Sequence, residues 1–429
     1  MTGDCAFIHF VHGARLLVAR DRPYNAQRLE GAFMNRRAAT AVIFIGFFLL
    51  GMVFILWGIL LPDLARSLAM SEVVSGAFFT LISLGMIVGA FIGGKYVQKF
   101  DFLSLFSTLA VLVVALLVAL SMVNHWAWLL AGAFTLGIVS SSLFTIGHTL
   151  IARLHVARRS AMMGLMDFMF SLGTLAAPFY VSGLYALEHS WRWPLRVLAL
   201  GLLGLAAYAW YTARQGKKLA PVGEAQHKQS LSYGEVIKQP VFLFLALAGL
   251  GYGAVEFGNG NWFVSYAQNG RGFDGDEARF VFAFFTAGMV LSRLGFALLL
   301  RWFSNHRLMV ILASIMVVGA FTIKLTSDPQ IMSMGNLLVG LGLGGLFPLM
   351  LSAAMDIDSD KGPVLSGICV IGSSIGVQLA SFGTGLWANF APLATAFWTI
   401  PLGAAWLWVM AFRYSRELKK RRSVDGVVA

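Results

Sequence analysis

Long apolar runs alternate with short polar segments along most of the chain. Twelve of these runs are about 20 residues long, the length at which an α-helix crosses a bilayer. We number them spans 1 to 12, at residues 39–61, 73–97, 102–123, 126–150, 160–186, 194–213, 241–267, 279–300, 307–326, 330–354, 363–387 and 391–412. The pattern predicts an all-α membrane protein with twelve transmembrane helices.

One interior polar segment is much longer than the turns that join the other spans. It reads RQGKKLAPVGEAQHKQSLSYGEVIKQP and divides the spans six and six. A signal peptide is not expected, because the weakly apolar stretch 7–19 is interrupted by His and Arg. Met34 is a second candidate start. The predicted parts are an N-terminal segment, a six-helix bundle, a linker, a second six-helix bundle and a tail, at 1–38, 39–213, 214–240, 241–413 and 414–429.

Composition and charge support lipid as the solvent. The chain is 58% hydrophobic and 12% charged, with a mean hydropathy of +0.76, whereas soluble domains carry about 25% charged residues. The net charge of +12 could indicate nucleic acid, but 25 of the 32 Lys and Arg residues fall on the side that holds both termini and 6 on the other. Because basic loops face the cytoplasm, we expect cytoplasmic termini in a bacterial inner membrane and no nucleic-acid partner.

Glycines recur in the two halves at a constant offset. Adding 203 residues to a glycine of the first half reaches a glycine of the second half in three span pairs: Gly85/Gly288, Gly137/Gly340 and Gly173/Gly376. A shared offset in three pairs indicates two six-helix repeats in the same orientation, related by an axis along the membrane normal.

These features together resemble the major facilitator superfamily. Its members have twelve spans in two parallel repeats with a central linker. GYGAVEFGNGNW in span 7 and GLGLGGLFPLMLS (340–352) in span 10 resemble the fucose:proton symporter-like sugar permeases, and residues 135–179 look closest to the TsgA-like permeases of that group. The resemblance implies a monomeric transporter that moves a small solute by alternating access in symport with protons.

The loop between spans 2 and 3 departs from the superfamily's pattern. The family motif is G-x-x-x-D-[RK]-x-G, and the segment here is GKYVQKFD (94–101). Gln98 stands at the Asp position and Asp101 at the last Gly position, while Lys99 is retained. The resemblance therefore implies a gating role for Lys99, but not a gate built on the missing Asp.

Span 7 holds the strongest candidate site. Tyr252, Glu256, Asn259 and Phe263 follow at steps of 4, 3 and 4 residues, which places them on one helical face. A charge at this depth costs at least ~2.5–3.5 kcal/mol, so it is expected to face protein or water. Burial favours the neutral form of a carboxyl, as a proton carrier requires. An alternative is that a neighbouring helix simply satisfies this carboxyl.

We predict proton coupling at Glu256 and sugar binding by the polar and aromatic groups around it. Hydroxyls of a sugar bond to amides, and its C–H face stacks on a ring. The nearby glycines weaken the helix, which indicates backbone that lines a cavity. The predicted substrate-binding residues are Tyr252, Asn259, Asn261 and Trp262, with Gln378 of span 11.

Two charges in spans 5 and 8 are predicted to form a gate. Asp167 and Arg293 each lie 7 residues from the same end of their spans, roughly 10 Å below the membrane surface. The resemblance implies that these spans are neighbours across the cavity, so we expect an ion pair between the halves, formed only while the cytoplasmic side is closed. Asp167 is also assigned to proton coupling. Alternatively, Arg293 extends to lipid headgroups and Asp167 bonds within its own half.

Three other features have two interpretations each. Glycines at GxxxG spacing favour either static packing or a moving contact between spans 2 and 11. His148 is either a structural hydrogen-bonding group or a proton relay. The aspartates at 356, 358 and 360 indicate either a solvated loop or a metal site. The GxxxG glycines are Gly85, Gly89, Gly93, Gly372 and Gly376.

The sequence therefore predicts a secondary active transporter of a small polar solute, either a sugar or a sugar derivative, driven by protons. The alternatives are proton-driven efflux and a non-transporting membrane sensor. No G-x-x-x-x-G-K-[ST], CxxC or HExxH motif is present, so ATP, cofactors and metals are not expected. No nucleophile–base motif indicates an enzyme.

Overall fold

The computed structural model describes residues 26–96, 101–188, 190–215, 240–357 and 362–425. This part of the chain is helical and contains no strand. It holds 12 helices that are long and apolar enough to cross a membrane, which confirms the predicted number. Spans 1 to 6 lie in helices Ala26–Ser67, Glu72–Tyr96, Phe102–Leu120, Trp126–Leu154, Arg159–Tyr185 and Arg192–Gln215.

The second half has two interrupted spans. Spans 7, 8, 9 and 11 lie in helices Pro240–Ser265, Gly275–Leu299, Asn305–Leu325 and Gly362–Ala388. Span 10 is divided into Pro329–Gly344 and Leu346–Ile357, and span 12 into Leu393–Ala396 and Thr399–Asp425. The break in span 10 follows from Pro348, which lacks an amide proton and clashes with the carbonyl four residues earlier. That carbonyl belongs to Gly344, where the first helix ends.

Span 1 begins earlier than its apolar run indicates. Its helix begins at Ala26, whereas the apolar run begins at residue 39. Residues 26–38, AQRLEGAFMNRRA, are mostly good helix formers. A helix that is already formed in the membrane can therefore extend beyond it without apolar residues.

Glycine contacts reproduce the repeat at atomic detail. A Cβ added to Gly85 would lie 2.1 Å from the carbonyl oxygen of Phe134, and one added to Gly288 would lie 2.4 Å from that of Leu337. Leu337 is 203 residues after Phe134, the offset that relates the two glycines. Backbones of spans 2 and 4 thus approach each other as those of spans 8 and 10 do.

The GxxxG glycines pack within each half, and the hypothesis of a moving contact between spans 2 and 11 is wrong for them. Gly85, Gly89 and Gly93 face span 4, while Gly372 and Gly376 face span 7. Small residues allow close approach to any neighbouring helix, so the spacing does not identify the neighbour. Spans 2 and 11 approach each other closely at two other glycines, Gly76 and Gly385.

We call the side on which span 6 ends and span 7 begins the linker side, and the opposite side the far side. The two halves are closely packed on the far side. A Cβ on Gly58 of span 1 would lie 2.0 Å from the carbonyl oxygen of Gly260 in span 7. A Cβ on Gly385 of span 11 would lie 2.4 Å from the carbonyl oxygen of Glu72 in span 2. Backbone contacts therefore close the far side.

Candidate functional site

A cavity lies between the two halves, where spans 1 and 5 face spans 7 and 8. Its empty space is ≈ 550 Å³, the open mouth included. Rings and methyl groups make up most of the wall, with a few polar groups, which is typical of small-molecule sites. The lining residues are Phe54, Ile55, Phe170, Thr174, Glu256, Phe257, Gly260, Asn261, Phe285, Thr286, Met289 and Arg293.

A charge pair lies in this cavity. Oε1 of Glu256 lies 3.8 Å from Nη2 of Arg293, and the two side chains are 20% and 21% exposed. The hydroxyl of Tyr252 lies beside the same carboxylate. Arg293 is near enough to balance the negative charge of Glu256, so the pair is neutral as a whole.

Arg293 also connects the second half to the first. Its Nη1 donates to Oγ of Ser171 and, at 3.4 Å, to the backbone carbonyl of Asp167. Asp167 and Arg293 therefore meet, as their equal depth indicates, but Arg293 contacts the carbonyl of Asp167 and pairs with the carboxylate of Glu256. Depth along a helix fixes only one coordinate, and the direction of each side chain around its helix selects the partner.

The carboxylate of Asp167 faces span 4. Its Oδ1 lies 3.4 Å from Nε2 of His148, and the two side chains are 50% and 32% exposed. Nδ1 of His148 lies 3.0 Å from the carbonyl oxygen of Phe144, which can only accept, so Nδ1 carries a proton. The contact between Nε2 and the carboxylate is then favourable when a further proton lies between them. Asp167 therefore lies beside His148 within its own half, and a proton-coupling role for either residue stays a prediction.

The predicted face of span 7 is divided between the cavity and the helix packing. The cavity is lined by Glu256, Phe257, Gly260 and Asn261. Asn259 is fully buried and donates to Oδ1 of Asn336 in span 10 at 3.1 Å. Steps of three and four residues leave neighbours up to 60° apart around a helix, which is enough to turn Asn259 away from the cavity.

Trp262 and Tyr252, two other predicted substrate-binding residues of span 7, pack against helices of their own half. Trp262 is 0% exposed, and its Nε1 donates to the carbonyl of Ser381 at 3.1 Å. Asn261, which lines the cavity, donates to Oγ of the same serine at 3.0 Å. The ring of Tyr252 packs against that of Phe347, with 5.1 Å between the centroids and a 30° angle between the planes. Span 11 therefore orients Asn261 toward the cavity.

Gln378 and Lys99 lie elsewhere. The side-chain oxygen and nitrogen of Gln378 are buried without a hydrogen-bond partner among the described residues, and Gln378 is outside the lining of the cavity. Lys99 lies outside the described residues, as do Asp358, Asp360 and the side chain of Asp356. Within the described part of the chain, no cluster of His, Cys, Asp and Glu could hold a metal ion.

The glycines of span 7 serve close packing, not an unwound backbone. The helix is continuous from Pro240 to Ser265. A Cβ on Gly253 would lie 2.0 Å from the carbonyl oxygen of Ser373, and one on Gly258 would lie 2.2 Å from Cδ1 of Ile400. The expectation of a helix weakened along a cavity is wrong, because spans 11 and 12 support the backbone here.

Sequence reasoning missed the aromatic wall. Phe54, Phe170 and Phe285 belong to apolar runs in which any phenylalanine can face lipid or protein. Thr174 and Thr286 were equally inconspicuous. The polar residues of span 7 were found because charge and amides are rare in such runs.

Comparisons with known proteins agree with this architecture. The family model described as the Major Facilitator Superfamily matches residues 42–381. "Protein TsgA homolog" of Serratia proteamaculans (strain 568) is 22% identical over 354 residues, covering 82% of this chain and 88% of that protein. "Protein TsgA" of Salmonella newport (strain SL254) is 24% identical over 356 residues, with the same coverage of 82% and 88%.

Solved structures of low identity share the fold. The crystal structure of the nucleoside transporter NupG aligns with a TM-score of 0.69 at 14% identity, covering 90% of this chain and 99% of that one. A bacterial homologue of the human lysosomal transporter Spinster, in an inward-facing and unoccupied conformation, aligns with a TM-score of 0.66 at 12% identity, covering 90% and 96%. The match to the family model over most of the chain places this protein in the major facilitator superfamily, as a multi-pass membrane transporter and not an enzyme.

Proposed function

We propose that this protein moves a small polar solute through the cavity between its halves, and that proton binding at Glu256 drives the movement. The observation that carries the proposal is the pair of Glu256 with Arg293 in that cavity. A charged pair inside a membrane protein is retained where it serves transport or faces protein and water. We place the protein in the bacterial inner membrane as a monomer with cytoplasmic termini.

The pair links proton binding to the contact between the halves. Arg293 pairs with Glu256 in its own half and bonds to Ser171 in the other half. A proton on Glu256 removes the negative charge that holds the guanidinium. Arg293 then redistributes its hydrogen bonds, and the stability of its contact with span 5 changes. Protonation thereby shifts the balance between conformations, in proportion to its preference for each.

Alternating access also requires the far side to open. The carbonyl of Gly260 now touches Gly58, and the carbonyl of Glu72 touches Gly385. These contacts join rigid helices of the two halves and can separate together when one half rotates against the other. The cavity would then be reached from the far side.

We propose a sugar or sugar derivative as the solute. Asn261, Thr174 and Thr286 present groups that can bond to hydroxyls. The rings of Phe54 and Phe170 offer apolar faces to the C–H side of a sugar.

The proposal is tested with purified protein in proteoliposomes. Radiolabelled sugars and sugar derivatives are offered with and without a pH gradient, and the lumenal pH is recorded with each solute. Glu256→Gln should abolish uphill accumulation but keep counterflow exchange, because glutamine mimics the protonated carboxyl. Glu188→Gln, in an exposed loop, is the matched control and should behave as wild type.

Unchanged uphill accumulation in Glu256→Gln would remove this residue from the proton path. A solute that moves without any pH change would exclude proton coupling. The sign of the lumenal pH change separates symport from proton-driven efflux.

A further inference from the structure

We infer that the solute is a small organic monoanion, bound by Arg293 at the same time as Glu256 binds a proton. The inference rests on the proposed function and names the class of its substrate. It narrows the sugar derivatives above to those that carry a single negative charge, and it extends to other compact monocarboxylates.

The charge of the Glu256–Arg293 pair depends on whether Glu256 holds a proton. Glu256 and Arg293 lie 3.8 Å apart and are each about one-fifth exposed. The other acceptors that the structure gives Arg293, the hydroxyl of Ser171 and the carbonyl of Asp167, are neutral. When a proton neutralises Glu256, the guanidinium keeps hydrogen bonds but loses its counter-charge. Removing one partner of a buried ion pair is destabilising because it leaves the other charge uncompensated, and the four-fifths burial of this pair favours a replacement for the lost charge.

The balance of charge in the cavity links the proton to the charge of the solute. A proton together with a monoanion adds no net charge, so the site is neutral before and after binding. A proton with a neutral solute leaves one positive charge, and an anion without a proton leaves one negative charge. Each of these states is penalised in a cavity of low dielectric. The proton and the monoanion are therefore favoured to bind together, which is the condition for strict coupling.

Other groups near the pair do not supply the missing negative charge. Tyr252 presents a neutral hydroxyl to Glu256. The carboxylate of Asp167 faces span 4, with its Oδ1 3.4 Å from Nε2 of His148, and Arg293 contacts only the backbone carbonyl of Asp167. A solute carboxylate would supply the counter-charge that Arg293 lacks when Glu256 is protonated.

The residues that line the cavity indicate what the rest of the solute is like. Phe54, Phe170, Phe257 and Phe285 present rings, and Asn261 presents an amide. A carboxylate on a ring or short chain would place its charge on Arg293 and its body against the phenylalanines. Arginine binds carboxylates through two parallel hydrogen bonds, which also fixes the orientation of the solute.

The test uses matched probes with the purified full-length protein in detergent. Thermal unfolding is recorded with galacturonate against galactose, gluconate against sorbitol, and benzoate against benzyl alcohol, all at constant sodium chloride. A ligand that binds the folded state raises the unfolding temperature. At least one monoanion should do so, and its neutral counterpart should not. Calorimetry in two buffers of different ionisation enthalpy should show proton uptake with that anion.

Three variants separate anion binding by Arg293 from proton binding by Glu256. Arg293→Gln should lose the preference for the anion, whereas Arg301→Gln, exposed beyond the end of span 8, should keep it. Glu256→Gln should bind the same anion without proton uptake and with no dependence on pH. This variant keeps the test decisive if Arg293→Gln does not fold.

The inference is overturned if no monoanion stabilises the protein more than its neutral counterpart, or if Glu256→Gln still takes up a proton with the anion. Proton-driven uptake of a neutral solute that depends on Glu256 would overturn the inference and leave the proposed function standing. Anion binding with proton uptake but without pH-driven transport would support the inference and overturn the proposed function.

Discussion

At the residue scale, neighbouring amides of span 7 have different surroundings. Asn259 is fully buried and donates to Asn336, while Asn261 reaches the cavity and donates to Ser381. Both are asparagines in the same helix, two positions apart. Their contacts assign the first to the packing of spans 7 and 10 and the second to the site.

Substituting each amide should therefore give different results. Asn259→Ala leaves a buried acceptor of Asn336 without its donor, and we expect a loss of about 1–3 kcal/mol in the free energy of unfolding. Asn261→Ala should weaken solute binding and leave the unfolding temperature closer to wild type. Thermal unfolding and ligand titration of the two variants measure this. Equal loss of affinity in both would return Asn259 to the binding site, as its position in the sequence indicates.

His155 makes a second prediction at this scale. It lies just beyond span 4, with Nδ1 3.0 Å from Nη2 of Arg36 and Nε2 2.8 Å from Oγ1 of Thr40. Burial, together with the positive charges of Arg36 and Arg158, lowers the pKa of His155 below its usual value. The folded state therefore binds this proton less well than the unfolded state, and the protein should lose stability as the pH falls from 7.5 through the histidine range.

The measurement is the unfolding temperature between pH 7.5 and 5.5. His155→Gln should show a smaller fall than wild type, because glutamine cannot take up the proton. His125→Gln, at the other end of the same helix, is the matched control. An identical fall in wild type and His155→Gln would contradict the prediction.

At the element scale, glycines set the distance between helices. Gly376 and Gly383 lie in the same helix, but a Cβ on Gly376 would be 1.8 Å from the carbonyl oxygen of Leu250, whereas nothing lies within 4 Å of one on Gly383. The first position requires glycine because two backbones touch. The second has space for a side chain.

Alanine at these two positions should have opposite effects. Gly376→Ala forces spans 7 and 11 apart and should destabilise by about 1–3 kcal/mol, as overpacking does. Gly383→Ala should stabilise by roughly 0.5–1 kcal/mol, because alanine is the better helix former. Thermal unfolding of the two variants measures the change in stability that each substitution causes. A neutral Gly376→Ala would show that this helix pair can relax by more than the structure indicates.

At the scale of the whole molecule, a buried arginine ties the halves together on the far side. Arg279 of span 8 is 2% exposed, and its Nε donates to Oγ of Ser182 in span 5 at 2.9 Å. Its guanidinium lies 4.8 Å from the ring of Tyr185, whose hydroxyl donates to Asp63 in span 1. Asp276, 2.7 Å from Nη2, balances the charge. Opening the far side must separate these contacts.

Arg279→Gln should therefore increase the fraction of protein that is open on the far side. The measurement is thiol labelling from that side of Thr174→Cys, which lines the cavity, with Cys5 and Cys369 replaced by serine. Arg271→Gln is the matched control, because Arg271 contacts Tyr266, Ser327 and Lys324 within its own half. Equal labelling of the two variants would show that Arg279 does not hold the far side closed.

The sequence by itself determined the features that are local to each helix. Apolar length predicted all twelve spans, because crossing a bilayer is a requirement that each helix meets separately. The offset of 203 residues predicted the repeat, since Gly85 and Gly288 meet the same steric demand in each half. Glu256 and Arg293 were identified because charge is costly in lipid wherever it occurs.

Only the tertiary structure decided which of these residues meet. The depth of Arg293 indicated Asp167 as its partner, but rotation about the helix axis brought it to the carboxylate of Glu256. GxxxG spacing showed that a helix approaches closely, and the fold decided that Gly376 meets span 7. The phenylalanine wall was hidden because an apolar side chain is equally stable against lipid and protein, so only packing distinguishes the two.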